Sequence, residues 1–174
     1  MRRSVAGCAV AWVMMCGGAL AQAPAGAVAE VQHSYEGVKA NILKSADKMP
    51  AGDYTYKPVP DVRTYARVVN HISEAQLRSC GALNGTPADK LAKVPPETAD
   101  KDAVVTALKA SFAECDKAFA SLTDAILLEM VTVGQGKRSR IGVVWGTVSH
   151  DNEQYATLAL YLRLKGIAPP SSEK

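Results

Sequence analysis

An all-α four-helix bundle is expected from three features of the 174-residue chain. Four stretches carry apolar side chains three and four residues apart, the spacing that gathers them on one face of a helix. Proline and glycine cluster between those stretches. No run alternates apolar and polar residues in the manner of a half-buried strand. Hydrophobic residues make up 48% and charged residues 21%, which excludes an intrinsically disordered chain, and the length suits one domain rather than several. A net charge of +3 is too small and too dispersed to point to nucleic acid.

At the start, Arg2 and Arg3 precede an uncharged apolar run over residues 5–20, too short for a comfortable membrane span. The small-x-small triplet Ala19-Leu20-Ala21 closes it. Residues 1–21 are therefore expected to be a cleaved signal peptide, with the bundle domain at 22–174 and the protein exported to a bacterial periplasm or secreted. Val5-Ala6-Gly7-Cys8 has the look of a lipoprotein box, but the apolar run follows Cys8, so no lipid or other stable membrane anchor is expected. Cleavage leaves 18 basic and 17 acidic residues and, of the four cysteines, only Cys80 and Cys115. An exported chain with two cysteines is a candidate for one disulfide; two buried thiols acting as small hydrophobes are the alternative.

The first helix carries Val31, Tyr35, Val38, Ile42, Ala46 and Met49 on one stripe, and Pro50 and Gly52 stop it. Tyr54, Tyr56, Pro58 and Pro60 make the next segment an extended connector. Asp61 or Thr64 can cap a second helix with Tyr65, Val68, Val69, Ile72, Ala75, Gln76, Cys80 and Leu83 at helical spacing, ending near Asn84-Gly85. Residues 85–99 hold Gly85, Pro87, Pro95 and Pro96 and are longer than a simple helical hairpin needs, so this connector can cross the bundle and make helices two and three parallel. With helices two and three parallel in this way, Cys80 and Cys115 both lie in the later part of neighbouring helices. Asp100 caps the third helix, with Val104, Leu108, Phe112, Cys115, Phe119 and Leu122 on its stripe. A loop around residues 134–138 leads to Ser139, a cap for a fourth helix over residues 140–165, which Gly166, Ile167 and Pro169-Pro170 terminate.

Few residues can carry chemistry. His71 and His150 fall in different helices, each opening a His-x-x-Glu spacing, with Glu74 and with Glu153; Gln154 lies four residues beyond His150. Residues three and four apart share a helix face, so these are potential ligand pairs. His71 flanks its apolar stripe beside Val68 and Ala75. On helix four, Ile141, Val144, Val148, Tyr155, Ala159 and Leu162 form one face, and His150, Gln154, Thr157 and Tyr161 lie almost opposite, flanked by Val143 and Leu164. This second stripe suits a pocket or a partner, including a second copy in a homodimer. Glu36 and Glu114 are the obvious additional glutamates on the other two helices for a carboxylate-bridged dimetal site, but the His-x-x-Glu order is the reverse of that chemistry. No Ser-His-Asp set, phosphate loop or Cys-x-x-Cys pair is present in the sequence. Lys137, Arg138 and Arg140 read as a solvated basic turn, and His33 is given no role.

The segment Val68-Val69-Asn70-His71-Ile72-Ser73-Glu74-Ala75, the run Val148-Ser149-His150-Asp151-Asn152-Glu153-Gln154-Tyr155 and the tail from Tyr161 to Pro170 together resemble the DinB-like superfamily. The resemblance spans nearly all of the chain beyond the signal peptide. It implies a four-helix bundle of up-down-down-up topology and a divalent metal, zinc or nickel, on one histidine of helix two and two from the last helix spaced His-x-x-x-His. Carried over, the ligands are His71, His150 and position 154, which here is Gln. Glutamine is a weaker ligand than imidazole, and Glu153 is the substitute if the helix rotates slightly. The implied activity is that of a metal-dependent transferase acting through a small thiol, or a hydrolase, on a small-molecule substrate, with Glu153 or Glu74 as a second-shell partner or base. A non-catalytic binding or scaffolding bundle that has lost its third ligand is the competing expectation.

Overall fold

Residues 26–173 are described by a computed structural model; the expected signal peptide at 1–21, with Cys8 and Cys16, lies outside the described residues. Four helices form: α1 (Ala27–Lys48), α2 (Tyr65–Asn84), α3 (Lys101–Ala120) and α4 (Arg140–Leu164). Three begin at side-chain caps. The Thr64 hydroxyl accepts from the Arg67 amide, the Asp100 carboxylate from Ala103 and the Ser139 hydroxyl from Gly142, each satisfying an amide that has no partner inside its helix. Of the two caps expected for α2, Thr64 is the one used. Gly85 ends that helix at φ 66°, a left-handed conformation open to glycine.

The helix directions follow from which residues meet. Gln76 bonds Ser111 and Cys80 bonds Cys115, both pairs thirty-five residues apart, and a constant separation means that α2 and α3 run parallel. Gln32 donates to the Phe119 carbonyl while Lys101 reaches the Met49 carbonyl, so α1 and α3 are antiparallel. Gln76 meets Asp151 and the Tyr161 hydroxyl reaches the Arg63 carbonyl, so α2 and α4 are antiparallel. The result is the up-down-down-up bundle.

The long connector makes this order possible by running back along α2. Leu91 sits over Gly81, where a Cβ would come within 2.9 Å of its methyl group. Farther along, Asn70 donates to the Pro95 carbonyl and Thr64 to Glu97, so the segment descends the whole helix before α3 begins. Cys80 and Cys115 form a disulfide with Cα atoms 4.9 Å apart, rather than two free thiols. Both are fully buried in a core that also holds Tyr35, Tyr65, Phe112, Ile72, Leu108, Leu158 and Leu162.

One element differs from the sequence expectation. Where a loop and no strand were expected, β1 (Met130–Val133) pairs antiparallel with β2 (Gly136–Ser139). Val131 and Val133 turn inward against the core while Met130 and Thr132 stay exposed. Gly134 at φ 61° opens the two-residue turn, the position where a tight hairpin needs glycine. Four residues of alternation are too few to stand out from a loop by pattern alone.

Candidate functional site

Antiparallel packing of α2 on α4 brings the two helical histidines together. The Nε2 atoms of His71 and His150 lie 3.2 Å apart, with the rings edge to face at a centroid distance of 5.0 Å. One nitrogen must donate and the other accept, so the pair holds at most one proton between those atoms without repulsion. Burial first, then the positive charge of Arg63, the neighbouring His150 ring and the charge of Arg67, hold His71 below the ordinary imidazole range, against a smaller opposing effect of Glu74. A neutral imidazole is the form that ligates a metal.

Behind His150 lies a polar chain that sequence reading did not identify. Asp151 is fully buried; its Oδ2 accepts from Gln76 Nε2 at 2.8 Å, and Gln76 Oε1 in turn accepts from Ser111 Oγ at 2.7 Å. Asp151 Oδ1 has no hydrogen-bond partner and lies 3.6 Å from His150 Nδ1, longer than a hydrogen bond but with no nearer partner. Burial pushes the Asp151 carboxyl up, against the downward pull of His150 and Gln76. A carboxyl group there favours the proton on Nδ1 and leaves Nε2 of His150 as the free lone pair, the arrangement common behind metal-bound histidines. The chain Ser111–Gln76–Asp151–His150–His71 thus links α3, α2 and α4 through the core. Its signal was present in the sequence. Asp151 interrupts the apolar series Ile141, Val144, Val148, Tyr155 at a core position, and Gln76 sits in the apolar stripe of α2.

The remaining candidates disperse. Gln154 is buried, one turn beyond His150, in a neighbouring cleft it lines with Glu153, Arg63, Thr157 and Tyr161. Glu153 is exposed at its rim. Glu74 is held by both guanidinium nitrogens of Arg67 at 3.0 Å. Glu114 is buried in a structural role, accepting from Asn84 and Thr86, and Glu36 lies beside Lys39, so the two do not join the histidines. On the second face of α4, Val143, Gln154 and Tyr161 are buried because α4 packs against α1 and α2 at once, His150 and Thr157 are half-buried beside clefts, and Leu164 is exposed. Among the described residues, no group of three or more His, Cys, Asp or Glu is arranged to hold a metal.

Residues 34–158 match the sequence profile of the DinB superfamily. The chain belongs to the DinB superfamily. Among solved structures it is similar to a DinB-like protein from Bacillus cereus at 14% identity and a TM-score of 0.63, covering 80% of this chain and 93% of that one. A DinB-like protein from Bacillus subtilis matches equally well, at 14% identity, TM-score 0.63, and 79% and 92% coverage. A conserved protein from Enterococcus faecalis follows at 14%, 0.61, 78% and 94%. No curated protein matches the chain. At such identities the likeness speaks for the fold alone.

For this DinB superfamily member the metal question turns on donor chemistry. Two imidazole nitrogens bound at about 2.0–2.1 Å to one tetrahedral zinc lie about 3.3 Å apart. The observed 3.2 Å therefore matches the spacing of a ligand pair. Two of the three implied ligand positions fit; the third offers an amide oxygen in place of an imidazole.

Proposed function

We propose that the groove between α2 and α4 is a divalent-metal site of reduced strength, held by His71 and His150, with the Gln154 amide, one helical turn along α4 in the adjoining cleft, as the donor that would have to turn toward the pair to complete it. The observation that carries this reading is the 3.2 Å approach of the two Nε2 atoms with the Asp151 carboxyl behind His150. When bound, zinc or nickel would supply Lewis acidity toward a water or a small thiol, which suits a hydrolase or a thiol transferase. The chain's own residues do the rest. Burial favours the neutral form of His71, Asp151 orients the His150 ring, and Gln76 and Ser111 hold Asp151 in place. Glu153, exposed at the rim of the adjoining cleft, can move a proton to or from solvent there. The buried disulfide supports placing the protein in an oxidising compartment, in keeping with export.

A second reading, a binding bundle without a metal, is favoured by glutamine at position 154 and the lack of a three-ligand cluster among the described residues. Elemental analysis of untagged protein purified without chelators separates the two. The metal reading expects about one equivalent of zinc or nickel, lost from the His71→Ala, His150→Ala double variant and bound more tightly by Gln154→His. Metal retained by the double variant overturns the ligand assignment. No metal in either the wild type or Gln154→His leaves the binding bundle.

A further inference from the structure

The groove continues past the histidines toward the start of α4. There it opens into a cavity of about 200 Å³ lined by Arg78 and Ser79 of α2, Arg138 of β2, and Gly146 and His150 of α4, with Asp151 behind them. We propose that this cavity binds the oxyanion of a small molecule, a carboxylate or a phosphate, between the guanidinium groups of Arg78 and Arg138, presenting the rest of the molecule beside His150.

Three observations carry the proposal. The two arginines hold charge that the fold does not use. Among the described residues Arg67 pairs with Glu74 and Arg140 with Glu129, but neither Arg78 nor Arg138 is in an ion pair. Two exposed arginines that line one concavity and are in no ion pair suit an anionic ligand, and their forked donors match carboxylate and phosphate oxygens.

The second observation is that Arg138 is seated rather than loose. Its Nη2 donates to the Gly142 carbonyl at 2.7 Å. Gly146, one turn on, leaves the space for the planar group; a Cβ there would stand 3.3 Å from both Nη1 and Nη2. One helix carbonyl thus fixes the fork while most of its five N–H donors stay available. The hairpin that the four-helix pattern does not require is the element that presents this side chain.

The third concerns competition from within. The one carboxylate in the lining, Asp151, is fully buried and already accepts from Gln76, so it does not neutralise the arginines at the cavity mouth. The volume holds about six water-sized groups at about 30 Å³ each. That accommodates an acid group with a few attached atoms, and the remainder of a ligand would lie along the groove.

As a substrate subsite the cavity rests on the proposed function, but the anion step itself needs neither metal nor turnover. The test is calorimetric titration of the full chain, before and after chelation, with succinate and separately with inorganic phosphate at low ionic strength. Saturable binding of either is expected, weakened about tenfold in Arg78→Gln and in Arg138→Gln, and unchanged in Lys137→Gln, whose exposed side chain carries the same charge on the same hairpin but does not line the cavity. Succinate alone identifies a carboxylate site, phosphate alone a phosphate site. Gly146→Ala keeps both charges but crowds the Arg138 guanidinium, so it too should weaken binding. Failure to saturate with either anion, or binding indifferent to both arginines, overturns the proposal. Anion binding by a protein that takes up no metal would sink the metal reading alone, and stoichiometric metal without anion binding would sink this one alone.

Discussion

Removing the Cys80–Cys115 bridge should cost this protein a large share of its stability. The bond closes a loop of 35 residues between two parallel helices. Restricting the unfolded chain in this way is worth about 2.1 + 1.5R ln n in entropy, about 12.7 cal/mol/K here, or about 3.8 kcal/mol at 25 °C. Domains of this kind are stable by only about 5–15 kcal/mol. At about 2.1 cal/mol/K per residue, the roughly 150 described residues have an unfolding entropy near 0.3 kcal/mol/K, so the expected fall in melting temperature is about 12 °C. Calorimetry of the oxidised protein beside the Cys80→Ala, Cys115→Ala double variant, and beside protein refolded with reductant, reads this directly. The two arms separate the bond from the sulfur packing, since both cysteines are fully buried and the reduced chain keeps its sulfur atoms. A shift below about 3 °C in both arms would refute loop closure as the source of stability.

Two further predictions concern buried carboxyl groups. Asp151→Asn keeps an acceptor for Gln76 but loses the carboxyl behind His150, so zinc affinity should fall about 10- to 100-fold in competition with a chromophoric chelator while the helical circular dichroism stays intact; unchanged affinity would show that Asp151 does not orient the ring. Burial raises the Glu114 carboxyl, but hydrogen bonds from Asn84, Thr86 and Lys117 outweigh it and hold the group below its ordinary value of 4.5. A folded-state pKa below the unfolded one contributes stability above the unfolded value and loses it as pH falls through the folded value. Urea unfolding from neutral to acid pH should therefore show a shallower loss of stability below about pH 4.5 in Glu114→Gln than in the wild type, and parallel curves would contradict this assignment.

The limits of pattern reading show at particular residues. The caps Thr64, Asp100 and Ser139 and the glycine stops were legible because they act within one turn of their own helix. The hairpin was not, since Val131 and Val133 gain strand character from the core they cover rather than from four residues of sequence. On α4 two partly apolar faces leave open which is inside; the joint packing of α1 and α2 buries most of the first and Val143, Gln154 and Tyr161 of the second, with His150 and Thr157 left beside clefts. By spacing Gln76 is one more member of an apolar stripe, and its role appears only when Ser111 and Asp151, on two other helices, meet its two ends.

The four-helix pattern, a connector long enough to cross the bundle and the candidate ligand residues were determined by the sequence, because periodicity, capping and connector length are local properties of the chain. That His71 and His150, 79 residues apart, bring their Nε2 atoms within 3.2 Å, that Asp151 stands behind one of them, and that Arg78 and Arg138 face one cavity were decided by tertiary structure alone. Such meetings depend on the register in which antiparallel helices pack, and that register is set by how side chains of separate helices interlock, which no single stretch of sequence contains.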